Sequence, residues 1–404
     1  MNTKLGMPLN SALQQEGERQ TGSTVIERIE PILIDAGVFR SWLIVKVTTN
    51  NGVTGIGEAT LEGRSATVAA AIAEMGRYLV GKNAFQIERH FQYLYRGQFW
   101  KGGAILMSAL SGVEQALWDI VGKVLNQPVY VLLGGAVRER ARLYANGWMG
   151  GLQSIDDVAE KAHLLVTRGF GALKLPGFEV HSELSGKASY HWALECTRAV
   201  RRAVGPDVEL MVDMHGRTTP AEAIALARQY REMDIYFLEE PVPPENIPAL
   251  AEVKQLSGLR IATGERLYTR FGFREVLERR AADILQPDLC HCGGILEAKK
   301  IAAMGEPYYV LVSPHNPNGP VSTAAGVQFA MSTQNFDMLE YLVEDVPWRE
   351  EIFPDGFKIE NGYIVPSGKP GLGIEFDEEA ARRHPAIPAD LPVCHLPDGT
   401  VAEW

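Results

Sequence analysis

Asp213, Glu239 and Glu265 lie 26 residues apart and then 26 again, and Asp288, His315 and Glu340 follow at gaps of 23, 27 and 25. Short apolar runs lead into the series: Val-Glu-Leu-Met-Val before Asp213, Ile-Tyr-Phe-Leu before Glu239 and Ile-Ala-Thr-Gly before Glu265. Runs of this kind, rich in Val, Ile, Leu and Phe, predict buried strands. Between them lie helical patterns, such as Pro220 to Met233 with Ala, Ile and Leu at helical spacing. A strand, a helix and two short loops take roughly 25 to 30 residues. One such unit per functional group delivers every group to the same edge of a parallel sheet. If the sheet closes into a β/α barrel, those edges converge over its mouth.

Three carboxylates brought to one point repel one another unless a cation sits among them. Oxygen ligands without cysteine, leaving positions open for water and substrate, suit Mg²⁺. Asp213, Glu239 and Glu265 are the expected ligands of one ion per active site. A divalent ion stabilises negative oxygen that develops during a reaction, such as the enediolate formed when a carboxylic acid loses its α proton. His315 is the expected base, and Asp288, one unit upstream, would hold one ring nitrogen and raise the basicity of the other. His215 lies two residues past Asp213, so on an extended strand both side chains would face the same way. Two titratable groups on opposite faces of one small acid allow proton exchange, as in an epimerase or racemase. They equally allow base and acid, as in a dehydratase.

With 404 residues, 46% of them hydrophobic, the chain can build a large core and two domains. Its net charge of −11 argues against a nucleic-acid partner. Neither an apolar run of 18 residues nor a signal peptide is legible, so we expect a cytoplasmic protein with no membrane partner. The four cysteines (Cys196, Cys290, Cys292, Cys394) do not make a disulfide framework, and Cys290 and Cys292 lack metal-motif spacing. Residues 1–24 form a polar tail, expected to be disordered or docked. An α+β domain over 25–140 should hold strands at Val25–Asp35, Ser41–Thr49 and Gly55–Thr60, then helices at Ala66–Leu79, Ala84–Tyr95 and Leu106–Leu125. The barrel should span 141–350, with an inserted loop near Phe178–Tyr190. Residues 347–370 should leave the barrel, and the final segment, within 351–404, should return to the first domain.

Several motifs carry a family resemblance. They are Gly102-Gly103, Gln115-Ala-Leu-Trp-Asp-Ile120, Asp213-Met-His-Gly-Arg217, Glu239-Glu-Pro241, Gly264-Glu-Arg266, Gln286-Pro-Asp-Leu289 with Gly293-Gly-Ile295, Pro314-His315 and the ending Asp398-Gly-Thr-Val-Ala-Glu-Trp404. In this order and spacing the chain resembles the mandelate racemase branch of the enolase superfamily, and within it the D-galactonate dehydratase group. The resemblance implies an α/β fold, a (β/α)7β modified TIM barrel under an N-terminal α+β capping domain that the C-terminal segment completes. It also implies Mg²⁺ at Asp213, Glu239 and Glu265, α-proton removal by His315 with Asp288, and protonation of the departing 3-hydroxyl by His215. Glu340 would hydrogen-bond a substrate carboxylate oxygen. The product would be a 2-keto-3-deoxy sugar acid, and the enzyme a carbon–oxygen hydro-lyase, expected to form a homo-oligomer between dimer and octamer.

Two departures stand out. Many family members carry Lys-x-Lys on the second barrel strand, whereas this chain has Lys174-Leu175-Pro176, which leaves no second lysine as an opposing base. The galactonate group has Cys after the catalytic His, whereas Asn316 stands here, so the sugar remains open. Lys174, Arg266, Arg40, Asn316 and Trp404 are the expected substrate contacts. Capping-domain loops at Ala36–Arg40, Glu62–Arg64 and Trp100–Lys101 should set specificity. A 2-hydroxy acid epimerase, a mannonate dehydratase-like enzyme and a non-catalytic regulator that keeps the fold remain alternatives.

Overall fold

The structure is a computed structural model and describes residues 24–37, 40–152, 154–179, 185–388 and 390–403. The expectations for residues 1–23 and for Trp404 lie outside the described residues. Thr24, placed at the end of the tail by sequence, is fully buried, and its carbonyl accepts the Ala84 N–H.

Strands β1 (Ile26–Asp35), β2 (Ser41–Thr49) and β3 (Thr54–Glu58) form an antiparallel meander. The β2–β3 turn falls at the Asn-Asn-Gly site, where Gly52 takes φ 80°. Helices α1 (Ser65–Leu79), α2 (Ile87–Tyr95) and α3 (Gly103–Val124) cover one face of this sheet. Helix α2 begins three residues later than expected because the Asn83 side chain accepts the Phe85 N–H and holds a turn there. Helix α3 is long and apolar enough to cross a membrane, but 78% of its most apolar stretch is buried inside the protein, so it is a core helix. It lies so close to β3 that a Cβ on Gly57 would come within 2.0 Å of the Gly112 carbonyl. Only glycine admits that approach.

Among the described residues, eight parallel strands alternate with seven helices. The strands are β4 (Ala141–Asn146), β5 (Ala172–Pro176), β6 (Glu209–Asp213), β7 (Phe237–Glu239), β8 (Ile261–Thr263), β9 (Ile284–Leu285), β10 (Leu311–Val312) and β11 (Leu339–Leu342). The helices are α4 (Ile155–Thr167), α5 (Lys187–Val204), α6 (Pro220–Arg231), α7 (Ile247–Ser257), α8 (Thr269–Glu278), α9 (Ile295–Gly305) and α10 (Pro320–Met331). Strands β4 to β10 pair in sequence order, and β11 pairs with β4. The gap between β10 and β11 is bridged by Val312 N–H to Asn335 O (2.9 Å) and Asp337 N–H to Val312 O (2.9 Å). The ring is therefore closed, a (β/α)7β barrel. Its units start cleanly: at α6, Thr219 and Glu222 form a capping box with Pro220 at the first helical position.

Alternation along the strands explains which groups reach the mouth. Tyr144, Ala172, Met211, Phe237, Ala262, Ile284 and Met338 form a separate buried cluster inside the ring. The residues two positions on from Ala172, Met211, Phe237 and Met338 are Lys174, Asp213, Glu239 and Glu340, so a period of two points them inward as well. Their neighbours Leu173, Val212, Leu238 and Leu339 face the helices in the main core.

The segment after β11 departs from expectation. Residues 347–370 stay on the barrel, where β12 (Lys358–Glu360) and β13 (Tyr363–Val365) form a hairpin and β13 pairs antiparallel with β4. The chain then reaches the meander and α3. Leu372 N–H donates to Asp119 Oδ1 (2.8 Å), Ile34 bridges to Pro385, and Lys46 pairs with Glu378.

Candidate metal centre and active site

Asp213 and Glu239 are the last residues of β6 and β7, while Glu265 lies two positions past β8 in a turn opened by Gly264 at φ 142°. One carboxylate oxygen from each of the three acids lies within 4.8 Å of the other two. Asp213 Oδ2, Glu239 Oε2 and Glu265 Oε2 are all buried; the two glutamate oxygens accept no hydrogen bond, and Asp213 Oδ2 faces the Lys174 and His215 nitrogens. Buried acceptors are rarely left without a donor. Three buried carboxylates converging, all hard oxygen, fit a divalent cation such as Mg²⁺.

Lys174 on β5 sits beneath this cluster. Its Nζ is 2.8 Å from Asp213 Oδ2, 2.9 Å from Glu239 Oε1 and 3.0 Å from Glu340 Oε1, and its side chain is 5% exposed. Sequence placed Lys174 at the metal or a substrate carboxylate, with a structural ion pair as the alternative. In the structure its ammonium is taken up by three carboxylates, and the position of Pro176, which ends β5 beside Asp213, carries no second amine. Burial opposes charge on Asp213, but His215 and Lys174 overcome it and hold the carboxyl well below its usual range. Glu239 moves the other way: burial, reinforced by the Asp213 charge, raises it well above the carboxylate range.

Asp288 lies three residues past β9 and His315 three past β10. His315 Nδ1 is 2.8 Å from Asp288 Oδ2, and Nε2 faces Glu265 Oε2 at 3.5 Å. The pair is thus formed, with the second ring nitrogen turned toward the acid cluster. Burial works against charge on His315, yet Glu265, Glu340 and Asp288 raise it well above the ordinary imidazole value. Asp288 also accepts the Cys290 N–H at Oδ1 (2.6 Å) and the Asn318 side-chain amide at Oδ2 (2.9 Å).

His215 reaches the site by a route that differs from expectation. Strand β6 stops at Asp213, and His215 sits in the left-handed region at φ 49°. Its N–H donates to Asp213 Oδ1 (2.9 Å) while Nε2 lies 3.0 Å from Asp213 Oδ2. A turn that folds back on the carboxylate, and not strand alternation, aims the ring. Burial opposes its charge, but Asp213 raises the His215 value. The ring remains 30% exposed and stacks at a tilt on Phe178, with centroids 5.1 Å apart.

Glu340 is fully buried; it accepts Asn146 Nδ2 (2.6 Å) and Lys174 Nζ (3.0 Å) at Oε1 and the Asn316 N–H (2.7 Å) at Oε2. Against the effect of burial, Lys174 and His315 hold it below its usual range. The Asn316 side chain turns to Thr323 Oγ1 (2.9 Å) and the Glu340 carbonyl (3.1 Å). Arg266 is occupied by the buried Glu240, its Nε 2.7 Å from Oε2. Arg40 lies 3.7 Å from Glu62, which brings two of the expected specificity loops together, whereas Trp100 stands 83% exposed.

Sequence reading missed the supporting residues. Asn146 ends β4, which carries no member of the series, and Asn318 lies three residues past His315, off the interval, so spacing gave no sign that they hold Glu340 and Asp288. It also missed the hold of α3 and β3 on the barrel. Glu58 caps α10 by accepting Gly319 N–H (2.7 Å) and Ser322 N–H (2.8 Å), and Glu114 caps α9 by accepting Ile295 N–H (2.8 Å) and Leu296 N–H (3.0 Å). Gln115 joins the two sides, accepting Glu58 N–H (3.0 Å) and donating to Leu289 O (2.8 Å).

Comparison with known proteins agrees with this architecture. Residues 25–134 match the mandelate racemase / muconate lactonizing enzyme N-terminal domain, and residues 157–380 match the enolase C-terminal domain-like family. The chain is 40% identical over 380 residues to D-galactonate dehydratase of Variovorax paradoxus, covering 90% of this chain and 96% of that protein. It is 39% identical over 372 residues to D-galactonate dehydratase of Cronobacter sakazakii, with the same coverage. A crystal structure of a mandelate racemase/muconate lactonizing enzyme-like protein from Roseovarius sp. superposes with a TM-score of 0.85 at 34% identity, over 94% of this chain and all of that one. Two matched domains in the family's order, on a closed barrel with its acids at the mouth, make this chain a member of the mandelate racemase/muconate lactonizing enzyme branch of the enolase superfamily.

Proposed function

We propose that the protein is a Mg²⁺-dependent dehydratase of an acid sugar, D-galactonate or a close stereoisomer, that yields a 2-keto-3-deoxy acid. The observation that carries this reading is the pair of histidines set at one carboxylate cluster: His315 Nε2 beside Glu265 and His215 Nε2 beside Asp213. The names of the curated relatives support the same chemistry. Bound at Asp213, Glu239 and Glu265, a magnesium ion supplies positive charge to an acid whose α carbon is losing its proton.

The chain's own groups do the rest. Nε2 of His315 takes the α proton while Asp288 holds Nδ1 and fixes the tautomer. The electron pair left at the α carbon becomes the double bond to the β carbon as the bond to the 3-hydroxyl breaks. His215, still exposed enough to meet substrate, gives that oxygen a proton, and the products are water and an enol that tautomerises to the keto acid. Lys174, bonded to Glu340 and two of the ligand acids, keeps the cluster's charge balanced and its side chains fixed. In the division of labour we propose, residues 141–350, with the β12–β13 hairpin against the start of β4, perform the chemistry, and residues 25–140 with the chain after residue 370 close over the mouth.

Incubation in deuterium oxide with a panel of aldonic and aldaric acids tests the reading. A keto acid that reacts with semicarbazide is the expected product. Deuterium at C2 without a keto product would replace the dehydratase by an epimerase, and tight binding without turnover would favour a regulator.

A further inference from the structure

Asp288 faces a second histidine that the reaction above does not use. His291 is 8% exposed, and its Nε2 lies 3.6 Å from Asp288 Oδ2, the same oxygen that holds His315. On its other side, His291 Nδ1 is 2.8 Å from Ser108 Oγ on α3. Ser108 lies 2.7 Å from the Ala104 carbonyl, which can only accept. The serine has one proton, so its oxygen serves either Ala104 or His291 as donor. Where the serine donates to Nδ1, the ring proton sits on Nε2 and faces the carboxylate; where it donates to Ala104, Nδ1 carries a proton too, and the doubly protonated ring puts N–H toward Asp288. The neighbouring backbone is pinned from the same helix, because Gly293 N–H donates to Ser111 Oγ (2.9 Å) and Leu289 O accepts from Gln115. Burial opposes charge on Asp288, but the His291 and His315 rings and the Cys290 N–H together hold it below its usual range.

We propose that His291 is a positioning residue for the base: anchored on Ser108 of the N-terminal domain, it holds Asp288 in the orientation that fixes His315. The chain Ser108–His291–Asp288–His315 then makes the first domain part of the proton-abstracting machinery, and not only a cover over it. The proposal rests on the dehydratase reading for its kinetic consequence, but its geometry stands alone.

His291→Leu removes the N–H, His291→Gln keeps a donor, and Ser108→Ala removes the anchor without touching the ring. In the Mg²⁺-loaded enzyme, His291→Leu is expected to lower kcat and the rate of C2 deuterium exchange by at least roughly tenfold, the usual scale for orienting partners, with KM little changed. Ser108→Ala should shift both in the same direction, and His291→Gln should recover most of the loss. A variant His291→Leu with wild-type kcat overturns the proposal, as does a loss that His291→Gln fails to restore. If the wild type neither dehydrates nor exchanges any acid in the panel, the dehydratase reading falls. Crystal structures of Ser108→Ala and His291→Leu then decide the positioning role. Loss of the 2.8 Å contact between Asp288 and His315 supports it, and an unmoved pair ends it.

Discussion

Replacing Lys174 by methionine tests the charge balance of the site directly. The lysine is the only cation bonded to Asp213, Glu239 and Glu340 together among the described residues, at 2.8 to 3.0 Å and almost without solvent. Methionine matches its length and leaves three buried carboxyls without their common partner. Removing one member of a buried ion pair costs about 3–5 kcal/mol, because the remaining charge stays desolvated. One lysine here serves three acids, so the metal-free protein should fall at the upper end of that range. For a chain this large, a change of about 5 kcal/mol corresponds to a fall of roughly 5–10 °C in Tm, scaling from smaller domains. Magnesium changes the sign of part of this effect. The lysine shares two of the acids of the proposed cation site, so its loss leaves that site more negative and should strengthen cation binding, and a ligand that binds only the folded state adds stability. Thermal unfolding of wild type and Lys174→Met, each in excess EDTA and in millimolar Mg²⁺, reads both effects. The expected result is a large Tm deficit in EDTA that narrows markedly with Mg²⁺. An equal deficit under both conditions would refute the reasoning, since the lysine would then be stabilising something other than the cation site.

Three further outcomes are expected. His315→Asn should abolish both C2 exchange and dehydration, losses of roughly a hundredfold or more for a proton-transfer group, whereas His215→Asn should stop dehydration and leave some C2 exchange; undiminished dehydration in the latter removes the acid role assigned to His215. Burial raises both Glu58 and Glu114 to about 7. Below the unfolded value both states hold the proton and the groups contribute nothing. Between about 4.5 and 7 the unfolded chain releases it while the folded chain keeps it, so stability falls as pH rises, by at most about 3 kcal/mol per group, and levels off above 7. Glu58→Gln and Glu114→Gln should each flatten the decline of Tm from pH 5 to 8, and an unchanged slope would show that other groups cause it. Gly264→Ala places a Cβ 2.7 Å from Phe273 and 3.0 Å from the Gln286 nitrogen at φ 142°, so it should displace Glu265 and weaken Mg²⁺ binding measured by calorimetry.

The barrel and its acid cluster were legible because one physical rule generates both. Each repeat must end a strand at the same face, so spacing alone located Asp213, Glu239, Glu265, Asp288, His315 and Glu340. The rule weakens where strands shorten. With β8, β9 and β10 only two or three residues long, Glu265, Asp288 and His315 sit in turns past their strands. Their positions depend on local backbone that no periodicity encodes. His215 is the clearest case, since a left-handed residue after β6 was unreadable from an apparently extended Val-Asp-Met-His run. Lys174 was legible as a site residue but its partners were not, because they come from three separate strands. The contacts from α3 and β3 were invisible for a related reason: Glu58, Glu114 and Gln115 read as ordinary helix and strand polar residues until tertiary packing puts helix ends against them. The return of β13 to β4 was hidden in a stretch rich in Gly and Pro.

The burial of α3 has a consequence for how the chain is made. Its polar face binds residues 174 to 183 positions later in sequence, and Asp119 waits for Leu372, 253 positions away. Emerging from the ribosome, this apolar segment has none of those partners for most of synthesis, and it carries the length and composition by which membrane-insertion machinery and holdase chaperones select clients. Truncated forms ending before residue 372 should therefore be the aggregation-prone species in a cell, and the N-terminal domain expressed by itself should need the downstream half supplied in trans to stay in solution.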